Sequence, residues 1–128
     1  MLDWREGIIF IFQAPGILDF SFEDNLRYWA MKLGSHLYLA AENLLLGHDD
    51  MRLAQLHEIA KAHNIPVVAS NHVLMDVPEN RKVADILTCI REHCTIEQAG
   101  TRLQKNAERH LKGTAEMLEL FAGYETAV

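Results

Sequence analysis

Pro66-Val67-Val68-Ala69-Ser70, with the loop behind it, Asn71-His72-Val73-Leu74-Met75-Asp76, decides how this 128-residue chain folds. The first five residues, with Val67 and Val68 β-branched, read as a short strand. Just upstream, Met51, Leu53, Ala54, Leu56, Ile59 and Ala60 recur at helical spacing. Asp49 or Asp50 suits the start of that helix. Lys61 and His63 suit its last turn, where positive charge meets the carbonyl end of the dipole. Asn64 can close the helix, and Pro66 forbids its continuation. A helix leading straight into a strand is the second half of a crossover between parallel strands.

The same grammar extends towards the N-terminus. His36 to Ala41 reads as a strand, and Gly47 breaks the chain after it. Phe22, Leu26, Trp29, Ala30 and Leu33 share one helical face over Ser21–Leu33. Ser21 is the expected N-cap, Asp24 complements the free amides of the first turn, and Gly34 suits the position past the end. Before that helix, Gly7 to Phe12 is a continuous apolar run, expected as a short strand buried on both faces. Gln13-Ala14-Pro15-Gly16 punctuates it.

Downstream, Asp76-Val77-Pro78-Glu79 reads as a helix start, with Asp76 as cap, Pro78 in the first turn and Glu79 closing a capping box. Val83, Ile86, Leu87 and Ile90 then give the i, i+3, i+4, i+7 face expected to point inward. A polar stretch from Thr95 to Gly113 follows, with a helical turn at Thr95–Ala99. Thr114 is the expected cap of a last helix, with Met117, Leu118 and Phe121 inward.

Strand and helix thus alternate three times, which predicts an α/β fold with parallel strands and crossover helices. Residues 1–128 read as a single domain; no repeat or long linker is visible in the sequence. Three strands leave two sheet edges close together. A homodimer through exposed sheet edges, a loop-covered edge, or membership of a larger sheet or barrel would each resolve this; the last is the expectation.

Composition narrows the function. Hydrophobic residues are 49% and charged residues 23%, ordinary for a globular protein and unlike a disordered one. Eighteen acids against twelve Lys and Arg give a formal charge of -6, so there is no net basic excess with which to hold phosphates, and tight DNA binding by this chain alone is not expected. Two cysteines, Cys89 and Cys94, are no disulfide framework and point to a reducing, cytoplasmic setting. The apolar run Ile8–Phe12 is far shorter than the ~20 residues of a membrane span. Asp3, Arg5 and Glu6 ahead of it deny the positively charged start of a secretory leader, so no membrane partner is expected.

In parallel α/β folds the chemistry sits beyond the carboxyl ends of the strands. There His72, Asp76 and Glu42 form a candidate set of metal ligands for Mn, Zn or Mg, suited to metal-assisted phosphoester hydrolysis. Against that stands a simpler account: Asp76 already serves as a helix cap, and a single loop histidine is usually just solvated. The seven histidines contain no His-x-His or HExxH, and no phosphate-binding glycine loop or nucleophile elbow occurs. The only local basic bias is Arg102, Lys105, Arg109 and Lys112, against Glu108. It could contact nucleic acid or a neighbouring domain, or be a solvated connection.

Several segments in order resemble a known family. Ile65-Pro66-Val67-Val68-Ala69-Ser70-Asn71-His72-Val73, continued by Asp85-Ile86-Leu87-Thr88-Cys89-Ile90-Arg91, resembles the PHP domain of bacterial C-family DNA polymerases. There a Pro-Leu-Val-Ala-Thr-Asn-Asp-Val-His strand end precedes a Leu-x-Cys-Ile-Arg helix. Asn106-Ala107-Glu108-Arg109-His110-Leu111-Lys112, the segment His36 to Leu45, and Glu116-Met117-Leu118-Glu119-Leu120-Phe121 resemble motifs of the error-prone branch. The resemblance is strongest over residues 35–122 and looser before.

It implies the later part of a distorted seven-stranded β/α barrel, a partial PHP domain from an error-prone, translesion polymerase. The partners implied are the remaining polymerase domains, and DNA through the parent protein. The family's Asp-x-His metal ligands fall on His72 and Leu74, and its N-terminal His-x-His has no counterpart here. The resemblance therefore implies a degenerate metal site and a structural role, with nucleotidyl transfer in a separate palm domain. Glu23-Asp24 and Asp49-Asp50 read instead as acids at helix starts. Two competing expectations remain: a stand-alone metal-dependent PHP-type phosphoesterase, and a small α/β interaction protein derived from a polymerase gene.

Overall fold

Three strands run parallel in sequence order: β1 (Phe10–Gln13), β2 (Leu37–Glu42) and β3 (Val67–Ser70), with β2 in the centre. Helix α1 (Phe20–Leu33) joins the first pair and α2 (Asp49–Ala62) the second, as the alternation predicts. The structure, a computed structural model, describes residues 6–128. Asp3 and Arg5, whose charges bear on the leader expectation, lie outside them. No helix among the described residues is long and apolar enough to cross a membrane.

Side chains alternate across a strand, so the register sorts the sheet into two faces. Phe10 pairs with Leu37, and Leu39 with Val67. Phe10, Phe12, Leu37, Leu39, Ala41, Val67 and Ala69 therefore share one face. Onto it pack Phe22, Leu26 and Leu33 from α1, Leu53, Leu56 and Ala60 from α2, and Phe121. Leu26 and Leu39 are wholly buried; each such leucine contributes about 1.5–3 kcal/mol through burial. The second face carries Ile11, Gln13, Tyr38, Ala40, Glu42, Val68 and Ser70, and no helix of the main core lies on it.

That asymmetry corrects the expectation for the first strand. β1 is buried on one side only, and Ile11 remains 60% exposed. Its bounds also shift towards Gln13, because pairing with β2 begins at Phe10. Helix α1 is capped by Asp19, not Ser21: the Asp19 carboxylate accepts from Phe22 N–H at 2.9 Å. Ser21 already lies inside the first turn. Gly34 ends α1 with φ 56°, a conformation that favours glycine. Asp49 is the first residue of α2, and its carboxylate turns back to accept from Leu44 and Leu46 N–H.

The remaining helices are α3 (Arg81–Arg91), α4 (Ile96–Ala99) and α5 (Thr114–Leu120). A 3-10 turn, Pro78–Asn80, leads into α3. Glu79 makes no capping box there; the Asp76 carboxylate instead accepts from Val77 N–H and Asn80 Nδ2. The face of α3 expected inward is turned outward: Val83 is 53% exposed, Ile86 52%, Leu87 60% and Ile90 64%. Arg81, Ala84, Asp85, Thr88 and Cys89 face the chain instead.

Thr95 and Gln98 form a reciprocal capping box at α4, which makes the turn over Thr95–Ala99 real. Gly113, not Thr114, precedes α5, and Leu118 faces outward while Phe121 is buried. Cys89 is buried and Cys94 half-buried, both free; burial pushes the Cys89 thiol above its ordinary value.

Candidate functional site

Beyond the carboxyl end of each strand, one side chain meets the others. β1 supplies Gln13, β2 supplies Glu42, and the loop after β3 supplies His72. Gln13 Nε2 donates to Glu42 Oε1 at 2.9 Å and lies 3.0 Å from His72 Nδ1. His72 Nδ1 is 3.2 Å from the same Glu42 oxygen. The imidazole nitrogen either accepts from the Gln13 amide or, when protonated, donates to Glu42. His72 has φ 47°, and its N–H donates to Ser70 Oγ at 3.1 Å. That bent backbone brings the ring over the sheet end.

The donor chemistry of this cluster does not fit a divalent ion. A metal site needs several lone pairs converging from different elements, each ligand held by further bonds. Here only Glu42 and His72 come together, and the Gln13 amide nitrogen is already in contact with both. Asp76, the third candidate, is engaged elsewhere. The Asn80 side chain, at 2.6 Å, and then Val77 N–H, at 2.9 Å, hold its carboxyl below the ordinary 3.8. Among the described residues, no group of three or more His, Cys, Asp or Glu is placed to hold a metal ion.

The segment 104–112 packs against the loop after β3. Leu74 N–H donates to Arg109 O at 2.7 Å, and Leu111 N–H to Met75 O at 2.9 Å, around a parallel bridge of Met75 and His110. Arg109 Nε donates to His72 O at 2.8 Å, and its Nη1 to Gln104 Oε1 at 3.1 Å. Burial lowers the pKa of the Arg109 guanidinium, and the Glu42 carboxylate partly offsets that.

The four basic candidates thus separate into two pairs. Arg102 and Lys105 are exposed. Arg109 orders the His72 loop, and the side chain of Lys112 is only 2% exposed. Lys112 Nζ lies 3.0 Å from Glu108 Oε2 and 3.6 Å from Glu116 Oε1. Burial alone would raise the Glu116 carboxyl, but His110 and Lys112 outweigh it and hold the group below its ordinary value. A continuous basic face is therefore not what this segment builds.

Three polar residues overlooked in the sequence hold this end of the molecule together. Gln13 joins Glu42 and His72. Asn71, 5% exposed, donates through Nδ2 to the carbonyls of His110 and Glu108. Asn106 Nδ2 reaches Leu44 O at 2.6 Å, while its Oδ1 accepts from Glu108 N–H at 3.1 Å. The available signal was an asparagine just past β3 and another ahead of the basic segment, a residue type suited to bonding loop backbone.

The architecture is an α/β unit with a parallel sheet whose strand ends are tied by polar side chains. In sequence the chain matches, over its whole length, part of proteins named error-prone DNA polymerase. It is 42% identical over 127 residues to the one from Caulobacter vibrioides, which covers 99% of this chain and 12% of that protein. The match to error-prone DNA polymerase 1 of Agrobacterium fabrum is 36% over 128 residues, 100% of this chain and 12% of the relative. The match to the Bradyrhizobium sp. protein is 46% over 132 residues, 100% of this chain and 11% of the relative. The chain thus spans about 12% of the length of these relatives and corresponds throughout to a fragment of an error-prone DNA polymerase. No family model matches it.

Proposed function

We propose that this chain is a structural portion of a PHP-type β/α barrel in an error-prone, translesion DNA polymerase. In this reading, other parts of that polymerase carry nucleotidyl transfer and contact DNA. One observation carries the proposal: helices of the main core cover only one face of the parallel sheet. Parallel sheets are normally buried on both faces. A doubly wound sheet achieves this with helices on each side. A barrel achieves it with helices outside and further strands that close the inner face. The second face here, with Ile11, Tyr38, Ala40 and Val68 along it and Gln13, Glu42 and Ser70 at its carboxyl end, suits the inside of such a barrel.

The Gln13–Glu42–His72 cluster then ties neighbouring strand ends at the mouth of the barrel. Arg109 fixes the His72 loop from outside. Both roles are mechanical, and both are satisfied by side chains of this chain.

The test is a chimera. The matched stretch of the Caulobacter vibrioides polymerase is replaced by these 128 residues, and extension of primed DNA is measured. Extension comparable with that of the parent enzyme is expected. A soluble chimera that fails to extend primers, beside an active parent, would overturn the proposal.

A further inference from the structure

Helix α3 is amphipathic in the wrong sense for this chain taken alone. Val83, Ile86, Leu87 and Ile90 lie at i, i+3, i+4 and i+7 and all face outward. The inward side carries Arg81 and Asp85, whose facing atoms lie 3.6 Å apart. Arg81 Nε and Asp85 Oδ1 are buried atoms without a hydrogen bond, although Arg81 Nη2 donates to Gln104 O at 2.7 Å. A free helix surface would be expected to put charge outward and apolar groups inward. The stripe continues across a shallow groove of about 530 Å³, where Ile86 and Ile90 of α3 face Ile96 of α4, itself 51% exposed.

We propose that this stripe, Val83, Ile86, Leu87, Ile90 and Ile96, is the docking surface for an apolar segment of the polymerase chain outside these 128 residues. The inference rests on the polymerase reading above and names a contact within it. Most of each relative's length lies outside the match, so a covering segment on the same polypeptide is available. The size of the stripe favours that occupant over a second copy. A stable interface between free proteins uses roughly 20–30 residues a side, of which this stripe of five apolar residues would be a small part. A segment joined through the same chain meets the stripe at an effective concentration of about millimolar, where a small apolar contact holds.

The test compares one position in two settings. Leu87→Cys is introduced, with Cys89→Ala beside it, into the 128-residue chain and into the chimeric polymerase. Maleimide labelling of the peptide containing position 87 is followed by mass spectrometry. Glu58→Cys, on the exposed side of α2, serves as the reference in each. The expected result is rapid labelling at position 87 in the free chain and labelling slowed about tenfold or more in the chimera, with position 58 rapid in both.

Equal rates at position 87 in an actively extending chimera overturn the docking proposal and leave the polymerase reading standing. A chimera inactive beside an active parent overturns the reading, and the docking surface with it. Slow labelling in the free chain that becomes faster on dilution, with a dimer in sedimentation, assigns the stripe to a second copy and also overturns the proposal.

Discussion

Helices α2 and α3 carry similar apolar spacings, and the fold treats them in opposite ways. In α2, Leu53, Leu56 and Ala60 close over Leu37, Leu39 and Ala41 of the central strand. In α3, Val83, Ile86, Leu87 and Ile90 stay outside, while buried Cys89 and half-buried Arg81 and Asp85 face the chain. The first helix completes a core within the chain. The second offers the material of a core without the partner surface. Periodicity reports that residues share a face of a helix; it does not say which body that face meets.

This contrast can be broken most easily by truncation. Leu56→Ala removes a side chain that is 1% exposed and leaves a cavity against the sheet; a loss of about 2–5 kcal/mol is expected in urea unfolding. Leu87→Ala, at the corresponding depth of pattern on α3, is expected to change the stability of the chain by no more than about 0.5 kcal/mol. Similar losses for the two would show that α3 packs as α2 does.

The connection between β2 and α2 sharpens the first half of the comparison. Asp49 is 7% exposed and receives two loop amides. Asp49→Ala leaves both donors without that acceptor, and a loss of about 1–3 kcal/mol is expected in the same unfolding experiment. Asp19→Ala removes the cap of α1 and should cost about 1 kcal/mol. An effect of Asp19→Ala larger than that of Leu56→Ala would place the stability of this region in its helix ends and not in its core.

The smallest effect concerns the start of the α3 region. The Asn80 amide, and then Val77 N–H, favour the charged form of Asp76 and hold its carboxyl below 3.8 in the folded chain. A lowered folded value means the stabilisation is complete above the unfolded value. It is lost as pH falls through the folded one. Unfolding midpoints measured down the acid limb should therefore decline less steeply below pH 3.8 in Asp76→Ala than in the parent chain. An unchanged acid limb would show that this contact contributes nothing.

Much of the sheet and its two long helices was legible because strong signals coincided. Pro66 and Asn64 mark the turn into β3, and Leu53, Leu56 and Ala60 mark the face that covers it. The one-sided burial of β1 was not legible, since Ile9, Ile11 and Phe12 look alike whichever side is covered. Asp19 displaced Ser21 as cap because a good capping residue lay on either side of the true helix start. Glu42 and His72 were legible as neighbours from their places at strand ends. Gln13 was missed because a search for ligands passes over an amide. It is the amide that gives the cluster its character, since its nitrogen contacts both groups an ion would need.

The structural role proposed for that cluster can be tested directly by counting ions. The 128-residue chain and its His72→Ala variant would be purified without chelator and analysed by emission spectroscopy for Mn, Zn, Fe and Mg. The account predicts far less than one ion per chain in both. One ion per chain in the parent, lost in His72→Ala, would contradict it.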